Sequence, residues 1–181
     1  YKGRLYAATA TNFYYGPLDS ISGTMIAYGT DPRIFLNKGG YIAFIGTNSR
    51  QEGSVNQELF VMVSTNGEVV VFQGDYPAAA NWSIVGRFTI EPPLMVPTYV
   101  YRNFFYWGAQ LHIVTRGGVV PLNALLSSQM LAGKYQTISD NINSLFADYV
   151  TGSYPWYDVC VYLDGKWLIL NMPVSDTQSE Q

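Results

Sequence analysis

Cysteine and histidine are almost missing from this 181-residue chain, which has one of each, and charge is sparse, at 13% Asp, Glu, Lys and Arg. A single thiol, Cys160, cannot close an internal disulfide, so the fold has to be held by burial alone. It lies in the apolar run YDVCVYL, where it reads as a buried structural thiol, a pattern that suits assembly in a reducing cytoplasm. One histidine and one cysteine cannot build a zinc shell, and neither an EF-hand calcium loop nor a G-x-x-x-x-G-K-[ST] phosphate loop is present. Gly39-Gly40 and Gly117-Gly118 therefore read as turns. No run approaches the ~18 consecutive apolar residues of a membrane span, and no signal peptide is visible.

Basic excess is also absent. The ten Lys and Arg are scattered against 13 acidic residues, giving a net charge of −3. Nothing here forms the positive footprint of a nucleic-acid groove reader. What the chain has in quantity is apolar and aromatic: 48% hydrophobic and 15% aromatic, with 15 Tyr. With so few charges, part of its surface must be neutral and aromatic, as subunit interfaces are. The chain starts at Tyr1 in strand-like sequence, GRLYAATATNFYY, and ends in a strand followed by a polar tail, KWLILNMPVSDTQSEQ. Both ends read as cuts from a longer polypeptide.

Internal repetition organises the middle. The segment VMVSTNGEVVVF, Val61 to Phe72, aligns without a gap on LHIVTRGGVVPL, Leu111 to Leu122, at an offset of 50 residues. Gly67 falls on Gly117, and Val69 and Val70 fall on Val119 and Val120. A third copy, VYLDGKWLIL, follows 48 residues later and sets Asp164-Gly165 in the turn position. Asn-Gly and Asp-Gly favour two-residue hairpin turns, whose positive φ values match the twist of the flanking strands. Further short strands are expected in GYIAFIG, WSIVGRFTI and NFFYWG. A hairpin returning about every 50 residues, with extra strands between, is the pattern of propeller blades, which repeat roughly every 40–50 residues. A sandwich of evenly spaced strands gives the same signal.

One interval breaks the β pattern. Residues 122–149 place Ile138, Ile142, Leu145, Phe146 and Tyr149 at helical spacing, with Thr137 or Ser139 able to cap the start. They are expected to form a pair of short helices split at Gly133 and packed over the sheet. The fold class is thus mainly β: residues 1–181 form one propeller-type segment of repeated antiparallel hairpins, with a helical insertion at 122–149.

Catalytic constellations are wanting. His112 alternates with Leu111 and Ile113 on a hairpin strand and reads as structural, with no G-x-S-x-G elbow to accompany it. Asp19, Asp31, Glu91 and Asp158 lie in or near aromatic surroundings, but no local motif selects a pair of them for glycoside hydrolysis. The sequon Asn81-Trp82-Ser83 matters only in a secreted eukaryotic chain. No residue is assigned a catalytic, cofactor-binding or metal-ligating role, and no cofactor is expected. The aromatic clusters NFYYG, RNFFYWG and YPWYD admit two readings: stacking platforms for sugars or bases, or packing and interface surface. Packing is the more economical.

The succession GRLYAA, DPRIFLNKGGYIAFIG, LFVMVSTNGEVVVFQGDYPAAANWSIVGRFTIEPPL, LHIVTRGGVVPLNALL and WLILNMPV resembles a family of structural proteins of short-tailed bacteriophages, the propeller-containing tail hub or nozzle and packaged-DNA stabilisation proteins. The resemblance runs from about Gly3 to Val174 and departs from the family pattern at QGDYP and in the proline-rich EPPLMVPTYVYRN. It implies a non-enzymatic virion component assembled in the host cytoplasm. It further implies a homo-oligomeric ring, expected to be six-fold, that contacts portal or adaptor proteins and tail fibres or spikes and lets genomic DNA pass without sequence-specific binding. A charge-poor, mildly acidic wall would not hold DNA through counterion release. The competing expectation is a carbohydrate-binding or carbohydrate-cleaving propeller in which Trp107 or Trp156 stacks the sugar.

Overall fold

The computed structural model describes residues 1–29, 31–52, 55–94, 103–127, 137–142, 158–162 and 167–171. The protein is mainly β, built of several antiparallel sheets, and divides into two compact units, Tyr1–Pro92 and Pro93–Gln181.

The first unit carries seven described strands: β1 (Arg4–Ala8), β2 (Phe13–Leu18), β3 (Ile26–Ala27), β4 (Ile42–Glu52), β5 (Val55–Ser64), β6 (Glu68–Gln73) and β7 (Ser83–Thr89). β1, β2 and β3 form a small sheet in that order, and β4 to β7 form a four-stranded meander. Alternation along β5 and β6 defines two faces. Phe60 pairs with Phe72 and Met62 with Val70 on one face, while Val61 pairs with Val71 and Val63 with Val69 on the other. All eight are buried, so this central hairpin is covered on both sides. The aromatic face gathers Phe13, Leu36 and Ile42, with Tyr1, Tyr6, Tyr28, Phe35, Trp82 and Ile84 packed around them.

The turn between β5 and β6 differs from the expected two-residue form. Thr65, Asn66 and Gly67 make a three-residue loop in which Gly67 N–H donates to the Ser64 carbonyl (3.1 Å) and Gly67 carries φ +80°. A type I turn closed by a left-handed glycine has this shape. A loop from Lys38 to Tyr41 clasps it. Asn66 Nδ2 donates to the Lys38 carbonyl (2.9 Å), Tyr41 N–H to Thr65 Oγ1 (3.1 Å), and Thr65 N–H to the Tyr41 carbonyl (2.9 Å). Below the clasp, the buried Glu68 carboxylate accepts from Lys38 N–H (2.9 Å) and from the Arg87 guanidinium on β7 (3.4 Å). Arg87 also donates to the Phe35 carbonyl.

The second unit holds β8 (Phe104–Trp107), β9 (Gln110–Thr115) and β10 (Gly118–Pro121) in one antiparallel sheet, then α1 (Leu122–Leu126), and a separate hairpin of β11 (Asp158–Tyr162) and β12 (Trp167–Asn171). Val114 pairs with Val119 and His112 with Pro121, which puts them on the face that packs with Phe105, Leu94, Val161 and Leu168. The β9–β10 hairpin aligns with β5–β6 in sequence but not in register. Thr115 pairs directly with Gly118 across two residues, and the positive φ (+125°) falls on Gly118, one place later than the alignment sets it. With one loop residue fewer, Val114 rather than Ile113 faces Val119.

Within 122–149 the described residues hold α1, whose buried Leu122 and Leu125 pack it against β9 and β10. Farther on, Asp140–Ile142 form a single 3-10 turn. Whether Thr137 or Ser139 caps a longer helix lies outside the described residues, which here end at Ile142. Ser139 Oγ accepts from Val119 N–H (2.9 Å), Ile138 N–H donates to the Val119 carbonyl (3.0 Å), and Thr137 donates to the Asp140 carboxylate. The segment thereby lies along β10, and Ile138 and Ile142 are exposed. Gly133, Leu145, Phe146, Tyr149, Trp156 and the Asp164-Gly165 turn lie outside the described residues.

Cys160 corrects an expectation. It sits on β11 opposite Ile169 and is exposed, because only the Val161 and Leu168 face of this hairpin packs inward. Strand alternation placed Cys160 on one face but carried no information about which face the unit covers.

Candidate functional site

His112, the one histidine, is built into the wall of the second unit. Its ring stacks on Phe105 (5.0 Å between centroids, 11° between planes) and leans on Trp107 at 6.0 Å. Its Nδ1 lies 3.1 Å from the Gln110 carbonyl, so the neutral ring with a proton on Nδ1 is the form that fits. Burial lowers its pKa, and the bond to Gln110 opposes that shift in part. At 3% exposure it cannot meet a substrate, as expected of a structural residue.

This burial predicts a pH dependence. A base whose folded-state pKa is depressed leaves the unfolded chain binding more protons between the two pKa values. The stabilisation is full above the ordinary value of 6.5 and is lost as pH falls from there toward the lowered value. Chemical denaturation between pH 7.5 and 5 is expected to show a stability slope of up to about 1.4 kcal/mol per pH unit from this group. His112→Phe, which keeps the stack on Phe105, removes that component, and an unchanged slope would refute it.

Of the four acidic residues singled out in the sequence, Asp19, Asp31 and Glu91 belong to the first unit and Asp158 to the second. Asp31 is engaged by Arg33, whose Nη2 lies 2.6 Å from Oδ2 and whose backbone N–H donates at 2.9 Å, and these hydrogen bonds pull its pKa down. Asp19 adopts φ +51° at the end of the β1–β2 pairing, its N–H donating to the Gly3 carbonyl (2.6 Å). Glu91 follows β7 in the first unit, and Asp158 opens β11 in the second. Among the described residues, no group of three or more His, Cys, Asp or Glu side chains is placed to hold a metal ion.

The aromatic clusters divide. From NFYYG, Phe13 and Tyr15 are buried, with Phe13 stacked on Tyr28 (4.6 Å, 13°) and Tyr15 tilted toward Tyr6 and Tyr76. Phe13 and Tyr15 are thus core, while Tyr14 is half-buried on the other face of the sheet, between Ala7 and Ala27. From RNFFYWG, Phe105 is buried, Trp107 is half-buried against His112, and Tyr106 is exposed. YPWYD precedes and enters β11, beyond the described side chains.

Position alone would not reveal the polar rim over the first unit's aromatic core. Tyr1 Oη donates to the Gly74 carbonyl (2.5 Å), and Arg4 lies over the Tyr76 ring (4.5 Å to the centroid). Burial first, then the Glu58 and Asp75 carboxylates, push the Tyr1 phenol up to about 12. Tyr6 is raised further, chiefly by burial, and Tyr28 is raised by burial. Every shift favours the neutral phenol, so these tyrosines serve in packing, and Tyr1 also as a hydrogen-bond donor. Glu58 and Asp75 come to Tyr1 from more than 50 residues away in sequence, a proximity that no local motif announces.

Two apolar faces remain open, one in each unit. On β1–β3, Leu5, Ala7 and Ala27 are exposed beside half-buried Tyr14 and Met25. On β11–β12, Cys160, Tyr162, Trp167 and Ile169 share one face, with Trp167 at 67% exposure. A contiguous apolar patch of this kind marks an interaction surface more often than solvent-facing surface.

The features together define a class: a β-rich protein of small antiparallel sheets with hairpins covered on both faces and apolar surface left open. Comparison with protein-family models, with curated proteins and with solved structures finds no match.

Proposed function

We propose that the protein is a structural component of a phage tail, of the hub or nozzle ring class, that assembles with copies of itself around the channel through which DNA is retained and ejected. The carrying observation is the open apolar face in each unit, Leu5 to Ala27 on β1–β3 and Cys160 to Ile169 on β11–β12, on a chain whose His112, Tyr1, Tyr6 and Tyr15 are committed to packing. Surface of that composition is what subunit contacts are made of. The four-stranded meander β4–β7 has the strand count and connectivity of a propeller blade, which supports a bladed whole. The carbohydrate-binding reading draws less support, since Phe13 and Tyr15 are buried and Trp107 is half covered by its contact with His112.

Sedimentation velocity and negative-stain imaging of the purified protein test the proposal. Closed rings are expected, and the paired change Trp167→Ser with Ile169→Ser is expected to shift the population toward monomer without lowering the thermal midpoint. A monomer that stays compact at high concentration and does not bind tail neighbours would overturn the reading.

A further inference from the structure

The clasp over the β5–β6 turn encloses a reactive pair of residues. Asparagine followed by glycine is the least hindered setting for succinimide closure, because glycine has no Cβ to obstruct the approach of its own nitrogen to the asparagine amide. Asn66-Gly67 is the one such pair in the chain, and Asn66 is exposed to water. In the native turn both reacting groups are occupied: Gly67 N–H donates to the Ser64 carbonyl and Asn66 Nδ2 to the Lys38 carbonyl. Gly40 then lies against the same amide. A Cβ at Gly40, where φ is +91°, would stand 3.0 Å from Asn66 Cγ and 2.7 Å from Thr65 Oγ1.

We propose that Asn66 is a self-modification site and that the Lys38–Tyr41 loop gates it. While the loop is docked, the amide is held by Lys38 and covered by Gly40; when the loop lifts, the turn is free to cyclise. Solvent base removes the Gly67 amide proton, and the nitrogen forms a bond to Asn66 Cγ. The Cγ–Nδ2 bond breaks and ammonia leaves, taking a proton from water. A second water opens the ring at either carbonyl and leaves an aspartyl or isoaspartyl residue at position 66. The new carboxylate cannot donate to the Lys38 carbonyl, and it adds negative charge to a turn whose next residue is the buried Glu68. The loop cannot redock as before, so the change is one-way and records how long the loop has been open.

Peptide mapping by mass spectrometry after incubation at mildly alkaline pH tests both halves. In the native protein, loss of the Asn66 amide is expected to be slower than in the same protein held unfolded in urea by about tenfold or more, the protection that two hydrogen bonds confer on a locally closed state. Gly40→Ala, which pushes the loop off Asn66, and Thr65→Val, which removes the acceptor for Tyr41 N–H, are each expected to speed the native reaction several-fold. Thr65→Val is the milder change and serves if Gly40→Ala does not fold. Asn66→Asp, the product form, is expected to be cut faster by trypsin after Lys38. No reaction at Asn66 in urea overturns the site. Equal rates in native and unfolded protein, or clasp variants as slow as the parent, overturn the gate.

Discussion

Gly67→Ala is expected to lower stability by about 3–4 kcal/mol, measured by denaturant unfolding, whereas Gly39→Ala, one loop away, is expected to cost about 1 kcal/mol. Both glycines have positive φ, +80° and +65°, so each alanine meets the left-handed penalty of roughly 1–2 kcal/mol. They differ in what a Cβ would touch. At Gly39 nothing lies within 4 Å, but at Gly67 the new atom would stand 2.2 Å from the Ile90 carbonyl oxygen and 3.1 Å from the Glu91 carbonyl carbon. Those are backbone atoms and cannot rotate aside. Ile90 N–H donates to the Gly67 carbonyl at 2.8 Å, so moving the strand away also breaks that bond, adding about 1–2 kcal/mol. Similar losses at the two sites would show that conformational strain alone governs both turns.

The same turn shows how far the sequence was legible. Asn-Gly between two apolar runs identified the β5–β6 hairpin, and the 50-residue offset correctly located β9–β10. Register was not legible, because it depends on which residue takes positive φ: Gly67 in one hairpin, Gly118 in the other. That choice sets the loop length and moves the partner of Val119 from Ile113 to Val114. Face assignment was legible only as alternation. Phe13 and Tyr15 share a face by spacing, as do Cys160 and Tyr162, yet the first pair is buried and the second exposed. The difference comes from elements distant in sequence that cover one sheet and leave the other open. The exposure of Ile138 was not legible for a related reason: backbone and side-chain bonds between Ile138, Ser139 and Val119 hold the segment along β10, a contact between residues about 20 apart in sequence.

Phe60→Ala is expected to be the most damaging single substitution in the first unit, at about 3–5 kcal/mol, with Phe60→Leu recovering most of it. Phe60 is 1% exposed and stands where the aromatic face converges. Its ring centroid lies 5.0 Å from Tyr6, 5.3 Å from Phe13, 5.5 Å from Trp82, 5.7 Å from Tyr1 and 6.0 Å from Phe72. Five rings from β1, β2, β6 and the segments before β1 and β7 would then border one void. Rigid aromatic neighbours held by cross-strand pairing collapse poorly into such a space, so the cavity cost adds to the lost transfer energy. Because a domain's whole stability is about 5–15 kcal/mol, the alanine variant is expected to lose a large share of it and to melt at a markedly lower temperature. Val85→Ala, on the open side of edge strand β7, removes an exposed side chain and is expected to change stability by less than about 0.5 kcal/mol. If the two alanine variants melted together, the first unit would not depend on this aromatic face, and its stability would rest instead on the valine face of Val61, Val63, Val69 and Val71.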